Sequence, residues 1–282
     1  MTEFLRALAD PDMAFLRSAL LLGLIGSVPL GAVGTFVVAR RISYLAAAIA
    51  HSVLGGIGLA VYLRQTAGWE WLSPMAGALA AALGAAGLVG WIALRARQRE
   101  DAAIGAVWVL GMAVGLLCLS RTPGYVDPMA YLFGDILLVT RGDLWAAGAV
   151  AFVVSAVVLI WHRQIAAVCF DPEFAAIRGI PADGIHFLLL GLAALTVVLM
   201  VSLVGVVLVV ALLTLPPAIA ALRSRGLGGM LLAAVCLNLL FVVVGLGASY
   251  SLDLPTGPTV ILVAATVFFA ALGLARPRGP AG

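Results

Sequence analysis

Apolar runs of about twenty residues recur along the whole chain, near 14–39, 43–63, 72–94, 102–119, 143–161, 184–203, 205–222, 228–250 and 258–275. A helix rises ~1.5 Å per residue and the hydrocarbon core of a bilayer is about 30 Å thick, so each run is long enough to cross it. No water reaches backbone groups there, which leaves helices or closed barrels, and runs of this length select helices. Composition agrees: 64% of residues are hydrophobic and 10% are charged, against about 25% charged in soluble domains. The chain therefore reads as all-α, a polytopic transmembrane helical bundle of eight or nine spans forming a single transmembrane domain over residues 1–282. The count is left at two values because only the turn at Ser202 to Gly205 separates 184–203 from 205–222.

Arginines mark alternate loops: Arg40 and Arg41, then Arg95, Arg97 and Arg99, then Arg163 and Arg178, then Arg223 and Arg225, then Arg276 and Arg278. The positive-inside rule assigns these loops to the cytoplasm. With nine spans the N-terminus lies outside and the C-terminus inside, in a multi-pass membrane protein. Trp69, Trp71 and Tyr125 then serve as aromatic anchors on the outer side, where the loops carry Asp127, Asp135, Asp143 and Asp253. The net charge of +3 follows from this arginine pattern, so nucleic acid is set aside as a partner. Cys118, Cys169 and Cys236 are odd in number and lack CxxC spacing, which argues against a disulfide framework or a thiolate metal site. Residues 1–13 read as an interfacial lead-in, without the cleavage pattern of a signal peptide. No GxxxxGK[ST] phosphate loop is present, so any ATP-driven step needs a separate ATPase polypeptide.

His51 is a titratable group deep within an apolar run. It stands ten residues beyond Arg41, roughly 15 Å along a helix and so near the bilayer middle. Ionisable groups at that depth are costly and tend to serve function. Neutral imidazole is a good ligand for zinc and other borderline metals; the alternative is a packed histidine bonded to a carbonyl or to Ser52 of another span. Glycines at helix-neighbour spacing, Gly55, Gly56 and Gly58 and again Gly77, Gly84, Gly87 and Gly90, suit close helix packing in lipid.

Three further segments carry candidate chemistry. In the cytoplasmic loop 167–184, AVCFDPEFAAIRGIPADG, Asp171 can cap a short helix that starts at Pro172, Glu173 favours its positive end, and Gly179 with Pro181 stops it. Such a helix is either a handle for a partner protein or a loop helix lying on the headgroups. The segment YVDPMAYLFGDILLVTRGD has an apolar core too short to span, suited to a re-entrant or interfacial element. Its Asp127 and Asp135 either attract a divalent cation at the outer face or cap helices and pair with Arg121 or Arg141. In SYSLDLPTGPT, Asp253 belongs to a turn and is a second outer candidate for cation capture. Pro216 and Pro217 should break or kink their helix and free carbonyls toward a cavity. His162 and His186 read as interfacial.

The ordered motifs RRISY, AHSVLGG, DPMAYLFGDIL, FDPEFAAIRG, VGVVLVVALLTLPPAIA and SYSLDLPTGPT resemble the membrane permeases of bacterial zinc/manganese/iron ABC importers, most of all the zinc-uptake permease. The similarity runs from Gly23 to Leu272. It implies a transport subunit and not an enzyme, without a cofactor, carrying zinc, or manganese or iron, as cargo. It further implies a homodimer, a separate ATPase subunit on the cytoplasmic face and an extracytoplasmic metal-binding protein. Asp171, Pro172, Glu173, Ala175 and Gly179 match the family's coupling helix, which sits in a cleft of the ATPase. His51 matches a histidine of the family's metal path, usually preceded by an aspartate four residues earlier; here that position is Ala47. A second histidine often follows in the span after Asp101, which here reads AAIGAVWVLGMAVG and has none. Competing readings are a permease for metal chelates of siderophore or cobalamin type and an ion-coupled secondary transporter. The near absence of mid-span carboxylates counts against the latter.

Overall fold

The computed structural model describes residues 2–10, 12–95, 100–123, 128–134 and 139–274. Its helices are α1 (Thr2–Ala9), α2 (Ala14–Ala39), α3 (Ser43–Thr66), α4 (Pro74–Arg95), α5 (Glu100–Arg121), α6 (Pro128–Phe133), α7 (Arg141–Phe170), α8 (Pro172–Ile177), α9 (Ala182–Val204), α10 (Val206–Arg223), α11 (Leu227–Leu252) and α12 (Thr256–Leu274). Nine of them are long and apolar enough to cross a membrane: α2, α3, α4, α5, α7, α9, α10, α11 and α12. The higher of the two expected counts therefore holds among the described residues. What separates α9 from α10 is Gly205 alone, with φ +85° and ψ 156°. That backbone state is almost confined to glycine. A side chain there would also run into the backbone of Phe133 and Gly134, so the end of α6 is packed directly on this turn.

Helices α2, α3 and α9 form the buried centre, with about three quarters of each span enclosed, whereas α5, α7 and α12 present most of their surface outward. Outward faces bear Phe152, Leu159, Leu232 and Phe269, all more than half exposed. Large apolar side chains in such positions suit contact with lipid tails, which remove the usual penalty for leaving them uncovered. Within the bundle, contacts rest on backbone approach. A Cβ on Gly56 would meet the Gly77 carbonyl and one on Gly77 the Gly56 carbonyl, joining α3 to α4. On the other side of α3, Gly55 meets the Gly111 carbonyl and Gly58 the Gly115 carbonyl of α5. Gly90 packs on Phe187 and Leu190 of α9, while Gly84 and Gly87 have nothing within reach. The packing reading thus applies to five of the seven glycines singled out.

Several hydroxyls inside the bundle return to their own helix, although Thr196 of α9, fully buried, makes no hydrogen bond. Ser27 donates to the Gly23 carbonyl at 2.7 Å, Thr35 to Gly31 at 2.7 Å and Ser52 to Ala48 at 2.8 Å. Satisfying each donor locally removes the cost of a bare hydroxyl in hydrocarbon.

Three local expectations differ from the structure. First, α7 does not stop near residue 161 but continues to Phe170. No glycine or proline interrupts 162–170, so nothing ends the helix where it leaves the bilayer, and Arg163 lies on a helix, not in a loop. Its outer end is fixed by a capping box: Thr140 Oγ1 accepts from the Asp143 N–H at 3.3 Å, and the Asp143 carboxylate accepts from the Thr140 N–H at 2.9 Å. Second, α10 runs unbroken through Pro216 and Pro217. The carbonyl that Pro217 leaves without a helical donor, on Leu213, faces Gly34 of α2 and not a cavity. Only a residue without a Cβ permits that approach. Third, His186 is not interfacial but 5% exposed, enclosed by protein.

Candidate ion path and coupling helix

Helix α3 rises from the turn at Arg40 and Arg41. Arg41 adopts φ 60°, the Arg41 N–H donates to the Val38 carbonyl at 3.0 Å and the Ile42 N–H to Val37 at 2.9 Å. This Schellman geometry ends α2 sharply and starts α3 at once. His51 lies two turns further, with its ring partly exposed. Its Nδ1 is buried and makes no hydrogen bond. The imidazole stacks on the indole of Trp108 from α5, ring centroids 4.5 Å apart and planes at 14°. Trp108 in turn meets Tyr44, one helical face below His51, at 5.7 Å and 49°. Ala46, Ala47 and Ala48 are all buried in this region, so no carboxylate stands one turn from the imidazole. Among the described residues, no group of three or more His, Cys, Asp or Glu side chains lies close enough to hold a metal ion.

At the outer end Asp253 ends α11 in the left-handed conformation, φ 52°. The Leu254 N–H donates to the Ser249 carbonyl at 3.0 Å, and Ser249 Oγ donates to the Leu254 carbonyl at 2.6 Å. Aspartate tolerates this backbone state better than most residues. Asp253 also borders a cavity of about 450 Å³ together with Phe133, Ser249, Tyr250 and Thr256. Phe4 of α1 packs on Tyr250, ring centroids 6.1 Å apart, so the lead-in helix is tucked against this outer end. Asp127 and Asp135 lie outside the described residues, as does the anchor Tyr125.

In the connection between α7 and α9, α8 forms where the residue types place it. The Asp171 carboxylate accepts from the Phe174 N–H at 2.9 Å, Pro172 occupies the first helical position and Gly179 terminates the helix at φ +79°. Gly179 N–H donates to Ala176 at 2.9 Å and Ile180 N–H to Ala175 at 3.0 Å, again a Schellman end. Ala175 is buried against the bundle, whereas Glu173, Phe174 and Ile177 face outward, Ile177 at 83% exposure. The Arg178 guanidinium lies over the Phe174 ring, 4.8 Å from its centroid. Elsewhere at this end, His162 is exposed with Nδ1 2.9 Å from the Leu159 carbonyl, and neither ring nitrogen of His186 has a partner. Sequence reasoning missed Trp108 and Tyr44. The available signal was the seven-residue spacing of Tyr44 and His51 on one helix face, opposite a span with glycines in matching register.

Among the described residues, nine helices long and apolar enough to cross a membrane, a short capped helix with exposed apolar side chains between α7 and α9, and a partly exposed imidazole within α3 fit a membrane transport subunit. Residues 12–275 match the ABC 3 transport family. The chain belongs to that family, the permeases of bacterial metal ABC importers, in which ATP hydrolysis falls to a separate subunit. It is 36% identical over 251 residues to a protein of Chlamydia muridarum named "Probable metal transport system membrane protein", covering 89% of this chain and 85% of that one. It is 31% identical over 267 residues to the manganese transport system membrane protein MntC of Halalkalibacterium halodurans, covering 94% and 89%. The structure of PsaBC from Streptococcus pneumoniae, solved with a Fab, superposes with a TM-score of 0.84 at 29% identity, over 97% of this chain and 96% of that chain.

Proposed function

We propose that this permease carries a divalent metal ion, zinc ahead of manganese or iron, from an extracytoplasmic metal-binding protein to the cytoplasm by alternating access. The observation that carries the reading is His51: a partly exposed imidazole at mid-span, on the helix that packs at the centre of the bundle. Imidazole suits zinc and iron, whereas manganese favours carboxylate and other oxygen ligands. With alanine at position 47 the site offers nitrogen without the carboxylate, which favours zinc even though relatives bear manganese names. A homodimer would bring two copies of His51 toward one axis, and two imidazoles with water would bind an ion weakly enough to release it. Asp253, beside the outer cavity, and with it Asp127 and Asp135, would draw the cation in by charge.

ATP drives the switch through α8. Its exposed Phe174 and Ile177, on a stiff capped helix outside the spans, suit insertion into a cleft of the ATPase, with Asp171, Pro172, Glu173, Ala175 and Gly179 setting its shape. Closure of two ATPase subunits would move two such helices together and tilt the spans as rigid bodies. Initial-rate zinc uptake in cells with this importer as their sole zinc route tests the selectivity. Manganese and iron at concentrations equal to zinc are expected not to compete; strong inhibition by manganese would overturn the zinc assignment.

A further inference from the structure

Helices α3 and α5 both run from the cytoplasm outward, and their register is set by backbone contacts, Gly55 on Gly111 and Gly58 on Gly115. One turn toward the cytoplasm this register brings His51 against Trp108, and two turns further Tyr44 against Trp108. The indole thus bridges two turns of one α3 face. Residues 47 and 48 lie between Tyr44 and His51 on that face by helical geometry, and both are alanine, so their methyl groups leave room for the indole. A hydroxyl edge completes the column: a Cβ on Gly105 would meet Tyr44 Oη at 2.8 Å.

A histidine that ligates a metal is ordinarily oriented by a hydrogen bond from its other ring nitrogen. Here Nδ1 of His51 has no hydrogen-bond partner, and the near-parallel indole is what fixes the ring plane. Ligand lone pairs of imidazole lie in that plane, so covering a face leaves the ring edge available. We propose that Trp108 is a positioning residue for His51 in the ion path, its indole face fixing the ring plane in place of the hydrogen bond that Nδ1 does not make. The inference rests on His51 being an ion ligand, and the experiment separates the two claims.

Initial rates of zinc uptake against zinc concentration are measured in cells carrying the whole importer with Trp108→Ala, Trp108→Phe, His51→Ala or the Trp108→Ala/His51→Ala pair. Permease amount and ATPase co-purification are recorded alongside. Loss of an aromatic stack is expected to raise KM about two- to tenfold, with Vmax and permease amount retained. Trp108→Phe, which keeps a ring face, should recover most of that loss, and Trp108→Ala should add nothing once His51 is alanine. If Trp108→Ala does not accumulate, Trp108→Leu, which fills space without a ring face, carries the same test. An unchanged KM in a chain that His51→Ala impairs would overturn the positioning role alone. An equal KM rise with or without His51 would also overturn it, since the indole would then act through general packing. Normal uptake by His51→Ala would instead overturn the ligand reading on which the proposal rests.

Discussion

Gly56 of α3 and Gly77 of α4 are mutually dependent: a Cβ on either would occupy the place of the other's carbonyl oxygen. Neither helix can take a side chain at this crossing without moving apart, and α3 has no free direction, since Gly55 and Gly58 hold it equally close to α5 on the other side.

Gly56→Leu is therefore expected to destabilise the bundle by about 1–3 kcal/mol or more, the usual cost of overpacking. Gly148→Ala on α7, where nothing lies within reach of the added carbon, should be neutral or gain up to about 1 kcal/mol from the loss of a helical glycine. Thermal unfolding of the purified permease in detergent distinguishes the two. Equal midpoints would show that the α3–α4 contact is looser than described.

Substitutions in α8, the proposed coupling helix, should separate structure from docking. Glu173 is exposed and bonded to nothing that holds the fold among the contacts of α8, so Glu173→Lys is expected to reduce co-purification of the ATPase while membrane insertion is unchanged. Asp171→Ala removes the cap to the Phe174 N–H and should cost the helix about 1 kcal/mol, weakening ATPase capture as well; Asp171→Asn, which still accepts that bond, should restore it. Undiminished ATPase capture by Glu173→Lys and Asp171→Ala together would contradict the assignment of α8.

Much of this architecture was legible because the bilayer imposes simple rules. The apolar spans and the Asp171 to Gly179 signals each follow from local chemistry, and both are reproduced among the described residues. The misreadings came where neighbours decide the outcome. Pro216 and Pro217 would break an isolated helix, yet α10 continues, because Gly34 lets another backbone cover the Leu213 carbonyl. The enclosure of His186 depends on how α9 is surrounded, which proximity to Asp183 in sequence could not convey. At the proposed ion path, His51 and the alanine at position 47 were both visible. The stack with Trp108 was not, since it depends on the glycine-set register between α3 and α5.

Cellular metal content after deletion of this gene tests the central claim most directly. In zinc-starved cells lacking the permease, zinc uptake should fall and return when the wild-type gene is supplied, with manganese and iron measured in parallel. Unchanged levels of all three metals would contradict a role in metal import.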